Sequence, residues 1–281
     1  MHHPYGGCII GNDDTPTNGR IPPHVKIAIC AKHVPAGELQ LDPGSLRLDR
    51  SGESELNRRD RAAVEAGLRL RDNGIATEVV LLTVGPENAV SSMREGLAMG
   101  ASRAVVCADP RAAGSDLLAT SRVLAALVER ERPALTILGQ LAGDSEGGAL
   151  PAALARRLNV PAVTQAAELE VRAGAVLAWR QTEAGSEQIR APLACVVSVT
   201  DAFEARFPTF AEMKRAADRP VEMIDLAELG VPPALAGEAG SGTAVLNASA
   251  APRSGRQAVM VEDDGTAAER LLAYLASRGL V

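Results

Sequence analysis

The chain is predicted to be an α/β protein on a mostly parallel sheet, and three observations lead there. Short apolar or β-branched runs at Val25–Cys30, Thr77–Thr83, Arg103–Ala108 and Ala134–Gly139 alternate with amphipathic helical stretches. That alternation is the pattern of βαβ units. Helix punctuation falls between the runs: Pro86 is placed to open a helix from its first turn, and Gly100 to end it. The apolar share is 46% while aromatic residues make up 2%, so the core has to be packed from Ala, Val, Leu and Ile.

In chain order, residues 1–24 are rich in Pro, Gly, Asn and His without periodicity, and read as a disordered extension. Val25–Cys30 suits a buried strand, and a loop with Pro35, Gly37, Pro43 and Gly44 follows. Asn57 and Asp60 stand as an N-cap and its N3 partner ahead of the stripe Ala63, Val64, Gly67, Leu68. The Thr77–Thr83 strand leads to a helix with Val90, Met93 and Leu97 on one face. After Arg103–Ala108, Ser115 is expected to cap a helix carrying Leu117, Leu124, Leu127 and Val128. Ala134–Gly139 is the fourth strand, and a helix with Leu150, Leu154 and Leu158 on one face follows its loop.

Beyond Val160 the pattern changes. Leu169–Val171, Val176–Arg180, Gln188–Ile189 and Cys195–Val199 read as short strands joined by Gly turns, an added antiparallel portion. Gly230–Gly255 is rich in Gly, Ala, Ser and Pro and reads as an extended linker. Thr266-Ala-Ala-Glu269 has the form of a capping box, and Leu271, Leu272, Leu275 and Gly279 complete a last amphipathic helix. The expected organisation is thus an extension (1–24), an α/β domain (25–228) and a C-terminal linker and helix (229–281) that docks elsewhere.

Composition narrows the function. A net charge of −6 argues against a nucleic-acid partner. No apolar run reaches the roughly 20 residues of a membrane span, and no basic segment with an apolar core opens the chain. Cys8, Cys30, Cys107 and Cys195 lie far apart, which fits free thiols better than a metal or disulfide site. A soluble, cytoplasmic protein is expected.

Three segments carry candidate chemistry. Gly143-Asp-Ser145-Glu-Gly147 matches the G-x-S-x-G form of a hydrolase elbow, but every histidine precedes Ser145, opposite to the order that chemistry uses. Pro151 gives a better reading, because it must lie in a helix's first turn. Residues 139–148 then form a Gly-rich loop with free N–H groups at a helix start, suited to a phosphate; an ordinary βα turn is the alternative. The loop has no P-loop lysine. Lys32 and His33 end the first strand at the edge where α/β ligands bind, although solvated lysines and hydrogen-bonded surface histidines are common. Phe203, Phe207 and Phe210 fall within eight residues among charged neighbours, as core or as an exposed docking loop.

Several segments together resemble the β subunit of electron transfer flavoprotein. They are Lys26-Ile-Ala-Ile-Cys-Ala-Lys-His-Val-Pro35, Leu56-Asn-Arg-Arg-Asp-Arg-Ala-Ala-Val-Glu65, Thr83-Val-Gly-Pro86 and Gly96-Leu-Ala-Met-Gly-Ala-Ser-Arg-Ala104. Ile137-Leu-Gly139, Leu158-Asn-Val-Pro161 and Ala205-Arg-Phe-Pro-Thr-Phe210 follow in the family's order, so the likeness runs from about residue 25 to 281. The resemblance implies a Rossmann-like (adenine nucleotide alpha hydrolase-like) fold and a noncatalytic subunit. It also implies an α subunit that carries most of an FAD, and AMP or a second FAD in the β subunit's own pocket. The implied partners are acyl-CoA or other flavin dehydrogenases as donors and a quinone oxidoreductase as acceptor.

The positions that match the family's binding segments are Cys30, Asn57, Arg58, Arg59, Asp60, Val84, Gly139, Asp144, Ser145, Glu146, Gly147, Gly148, Ala149 and Leu150. Arg206, Phe207 and Phe210 match its partner-recognition segment, with Phe210 as the anchor and Arg206 holding the loop's shape. The chain departs from the family in having Asn57-Arg58-Arg59 where many members have Asn-Pro-Phe, and in lacking the Thr and Gln of the Gly-rich loop. Its Arg180–Pro192 segment is shorter than the family's. The runner-up, an ATP-using or nucleotide-sensing protein of the universal-stress type, needs a pyrophosphate loop that Ala31-Lys-His-Val-Pro35 does not offer.

Overall fold

The computed structural model describes residues 8–9, 25–249 and 260–281, which fall into two compact units divided at Leu246 and Asn247. The expected N-terminal extension lies outside the described residues, apart from β1 (Cys8–Ile9), which pairs along the sheet's edge.

The first unit is built on β2 (Lys26–Cys30), β7 (Glu78–Val84), β8 (Arg103–Cys107), β9 (Leu135–Gly139) and β13 (Cys195–Val199). Two small hairpin pairs, β3 (His33–Pro35) with β6 (Ser54–Leu56) and β4 (Leu41–Asp42) with β5 (Arg47–Leu48), sit in the connection after β2. The strands β10 (Ala162–Arg172), β11 (Ala175–Thr182) and β12 (Gly185–Pro192) form the antiparallel portion, and β14 (Val221–Ile224) closes the far edge. The ten-stranded sheet runs β1-β12-β11-β10-β13-β9-β2-β7-β8-β14. Every neighbour from β10 through to β14 is parallel, so the α/β expectation with an antiparallel addition holds. Cys195–Val199, expected in the antiparallel run, instead continues the parallel sheet between β10 and β9.

Helices α1 (Arg58–Asp72), α2 (Ala89–Met99) and α5 (Phe210–Asp218) cover one face, while α3 (Leu117–Glu131) and α4 (Leu150–Leu158) cover the other. Each face buries an aliphatic cluster, with Leu68, Leu81 and Met93 in the first and Leu82, Leu127 and Leu154 in the second. Phe203 is the aromatic ring in the core among the described residues. An aliphatic core of this kind gains its stability from area removed from water, about 25 cal/mol per Å².

The helix starts differ from the sequence reading where side chains had closer partners. Asp116, not Ser115, caps α3 by accepting the Ala119 N–H at 2.9 Å. The Ser115 hydroxyl donates to the Ala112 carbonyl and accepts from the Gly237 N–H. Pro86–Asn88 forms a turn, with the Ala89 N–H on the Pro86 carbonyl, so α2 begins after it. A full capping box does exist, at Thr209 and Glu212 on α5, where the spacing Thr-x-x-Glu had gone unread. The start of the expected linker is packed against the main unit instead of extended. Val231 and Ala236 are buried, and Asp116 accepts the Gly242 and Thr243 N–H groups.

In the second unit, α6 (Ala267–Ser277) forms as expected but without the capping box. Asp264 takes the Thr266 N–H and hydroxyl, leaving Thr266 no bond to the helix. No α6 residue is buried, and Leu271, Leu272 and Tyr274 are exposed.

Candidate functional site

The carboxyl ends of β7, β2 and β9 lie side by side, and the connections that leave them converge there. The first turn of α1 ties two of those ends together. The buried Asp60 carboxylate accepts the Lys32 N–H at 2.8 Å and the Gly139 N–H at 3.1 Å. Burial pushes the Asp60 carboxyl up to about 6, against the pull of those N–H groups and of Asn57. Gly139 is required at this contact, because a Cβ there would lie 2.5 Å from Asp60 Oδ1 and 2.6 Å from the Arg59 carbonyl carbon.

Asn57 stands at the N-cap position as the sequence suggested, but its side chain makes no cap bond. It crosses to the loop after β9 instead, donating from Nδ2 to the Leu141 carbonyl at 3.1 Å and accepting the Gly143 N–H at 3.1 Å. The next loop residue, Asp144, is held by an ion pair to Lys32 Nζ at 2.7 Å and a second to Arg50, with its side chain 1% exposed. Burial raises the Asp144 carboxyl, but hydrogen bonds from Lys32 and Arg50 outweigh it and hold the group below the usual range. Arg50 carries no motif of its own, so sequence reading missed it.

Beyond Asp144 the loop opens. Ser145 and Glu146 turn back, both N–H groups bonding to the Ala142 carbonyl. The backbone then passes through Gly147 and Gly148, the latter at φ +60° with nothing near a built Cβ. Ala149 is the N-cap of α4 and offers no capping side chain, and Pro151 falls in the first turn as its chemistry demands. Among the described residues, the N–H groups of Gly147, Gly148, Ala149 and Leu150 meet no acceptor. Such donors at a helix start carry a partial positive charge.

The other candidates divide between core and surface. Cys30 is buried and its thiol is pushed well up by burial and by Asp60. Val84 is half-buried at the end of β7. Arg58 is exposed and Arg59 half-buried, and neither guanidinium has a partner among the described residues. Arg58 and Asn57 line a cavity of about 330 Å³ with Gly143, Asp144, Val34 and Leu39. His33 is no surface residue: it is 4% exposed, with Nδ1 2.7 Å from Ser92 Oγ.

The phenylalanine cluster splits. Phe203 is 6% exposed and belongs to the core, while Phe207 and Phe210 are 94% and 81% exposed. Arg206 pairs with the buried Glu65 at 2.7 Å and with Asp72 at 2.9 Å, fixing the segment that presents the two exposed rings. The Ser145 hydroxyl lies 3.4 Å from Lys32 Nζ, and no histidine partners it among the described residues.

The chain matches the electron transfer flavoprotein domain family over residues 45–229. It belongs to that family. An electron transfer flavoprotein subunit beta from Mycobacterium tuberculosis is 33% identical over 265 residues, covering 91% of this chain and 99% of the relative. The subunit beta from Megasphaera elsdenii is 32% identical over 251 residues, 85% of this chain and 93% of its own length. A caffeyl-CoA reductase-Etf complex subunit from Acetobacterium woodii is 32% identical across 82% of this chain and 90% of that subunit. The chain is therefore of the β-subunit type, with a role in electron transfer, and the universal-stress reading is not favoured. Among the described residues no helix is long and apolar enough to cross a membrane.

Proposed function

We propose that this chain pairs with an α subunit, helps enclose an FAD held mainly by that subunit, and binds an adenine nucleotide, AMP or a second FAD, in its own pocket. The observation that carries the nucleotide reading is the row of four unanswered N–H groups at Gly147–Leu150, set at the carboxyl edge of a parallel sheet. A phosphate fits there: space is open beside Gly147 and Gly148, and Glu146 is exposed to solvent. Gly139, Asn57 and Asp60 would hold the loop, while Ser145, Ala149 and Leu150 would border the phosphate. Cys30 and Val84 would form the floor at the strand ends. Arg58 and Arg59 would face the shared flavin.

When bound, the flavin supplies the electron acceptance and donation; this chain's residues bind, orient and dock. No side chain of its own performs catalysis in this reading. Exposed Phe207 and Phe210, on a segment braced by Arg206, would meet flavin dehydrogenases such as those acting on acyl-CoA. A small apolar anchor suits weak, exchangeable docking. Electrons would leave to a quinone oxidoreductase, and the complex would work in the cytoplasm. The exposed leucines of α6 would be covered by the α subunit.

The test is co-expression with the α subunit. The purified pair should show a flavin absorbance spectrum, and calorimetry should detect AMP binding that Gly148→Val weakens. A colourless pair, or AMP binding indifferent to Gly148→Val, would contradict the reading.

A further inference from the structure

We propose that Asp144 determines which nucleotide the pocket accepts: as a built-in counter-ion it keeps Lys32 and Arg50 off the ligand, so the site favours a nucleoside monophosphate over a polyphosphate. This rests on the reading of Gly147–Leu150 as the phosphate site.

Lys32 leaves the end of β2 and Arg50 leaves the connection before β6, and both reach the same loop. They are 38% and 33% exposed, so their charges stand at the mouth of the site. Left alone, two such cations beside a row of backbone donors would attract the most highly charged nucleotide available. Asp144 prevents this. Its carboxylate is 1% exposed and lies between them, with an oxygen on each cation. The two ion pairs turn both side chains toward the loop's own backbone and leave one surplus positive charge where there would be two. Lys32 Nζ is further tethered near Ser145 Oγ at 3.4 Å. Glu146, exposed beside the open donors, adds a negative charge that repels a long phosphate chain. What remains for the ligand is the backbone N–H row, whose partial charge of about half a unit suits a single phosphate group.

The experiment measures AMP and ATP affinity, without magnesium, for the heterodimer carrying wild-type or Asp144→Asn chain. The amide keeps the size and one acceptor while releasing a cation. Wild type should bind AMP more tightly than ATP. Asp144→Asn should shift the ATP/AMP preference toward ATP by about tenfold, with a steeper salt dependence for ATP. A loss shared equally by both nucleotides would make Asp144 merely structural and overturn the role. Should the variant fold poorly, wild type alone decides. Tighter binding of ATP than AMP would mean Lys32 and Arg50 reach the ligand, and the inference would fail. Binding of neither nucleotide by wild type would end the phosphate reading itself, which a changed preference cannot do.

Discussion

Helices α3 and α4 lie on the same face of the sheet, and each follows the carboxyl end of a parallel strand, yet their first turns are treated in opposite ways. At α3 the chain answers its own donors. Asp116 accepts the Ala119 N–H with one oxygen and the Gly242 and Thr243 N–H groups with the other. The Asp116 N–H is in turn taken by Ser241 Oγ at 2.8 Å. At α4 the N-cap is an alanine, and the side chains that could cap it have other tasks. Asn57 holds the loop at Leu141 and Gly143, and Asp144 faces Lys32 and Arg50. A cap is worth about 1 kcal/mol, so a helix start left open among so many acidic and hydroxyl residues marks where a ligand supplies the acceptor.

That contrast can be broken at several points. The largest effect is expected from Gly139→Ala, whose Cβ would strike Asp60 and the Arg59 backbone. Urea denaturation should show a loss of about 3 kcal/mol or more; an unaffected midpoint would mean α1 is not pinned to β9. The pH dependence of stability is of similar order. Asp60 has a folded pKa of about 6 above its ordinary 3.8, so the unfolded chain loses this proton first as pH rises. Stability should therefore fall between about pH 4 and pH 6, by about 3 kcal/mol, and this term should be flat above that window. Melts of Asp60→Asn beside wild type would isolate it, because the variant lacks the slope.

Asp116→Ala should cost about 2 kcal/mol, since it removes a cap and the clamp on Gly242 and Thr243 together. Its AMP affinity should equal that of wild type; a weakened affinity would erase the distinction between the two helix starts. Gly148→Val should cost only about 1 kcal/mol of folding stability, the strain of a side chain at φ +60° in open space. Calorimetry should nevertheless show AMP binding about tenfold weaker, because the backbone there approaches the phosphate. The smallest stability effect, under about 0.5 kcal/mol, is expected from Phe210→Ala, whose ring is 81% exposed. Dehydrogenase-linked flavin reduction should slow in that variant while flavin content stays normal. A variant that melts early would place Phe210 in the core after all.

The βα alternation, the aliphatic core and the position of Pro151 were legible in the sequence because each depends on residues a few places apart. Apolar period sets which face is buried, and a proline ring forbids the helix interior wherever it occurs. On that basis the open loop before α4 was foreseeable, and so was the order of strands and helices. The capping box at Thr209 and Glu212 was equally local and could have been read.

What only the tertiary structure decided is which side chain answers which group across the sheet's edge. Asn57 had the sequence of a cap and became a bridge to a loop 86 residues away. Lys32, open to a phosphate by its position, found Asp144 at a separation of 112 residues. Phe203 and Phe210 share one short segment, but the first was drawn into the core and the second left in water. These outcomes follow from the order in which β9, β2 and β7 stand beside one another, which brings distant loops to a common edge. Local pattern specifies the elements; the partners of a polar side chain at their ends depend on distances that exist only once the sheet has assembled.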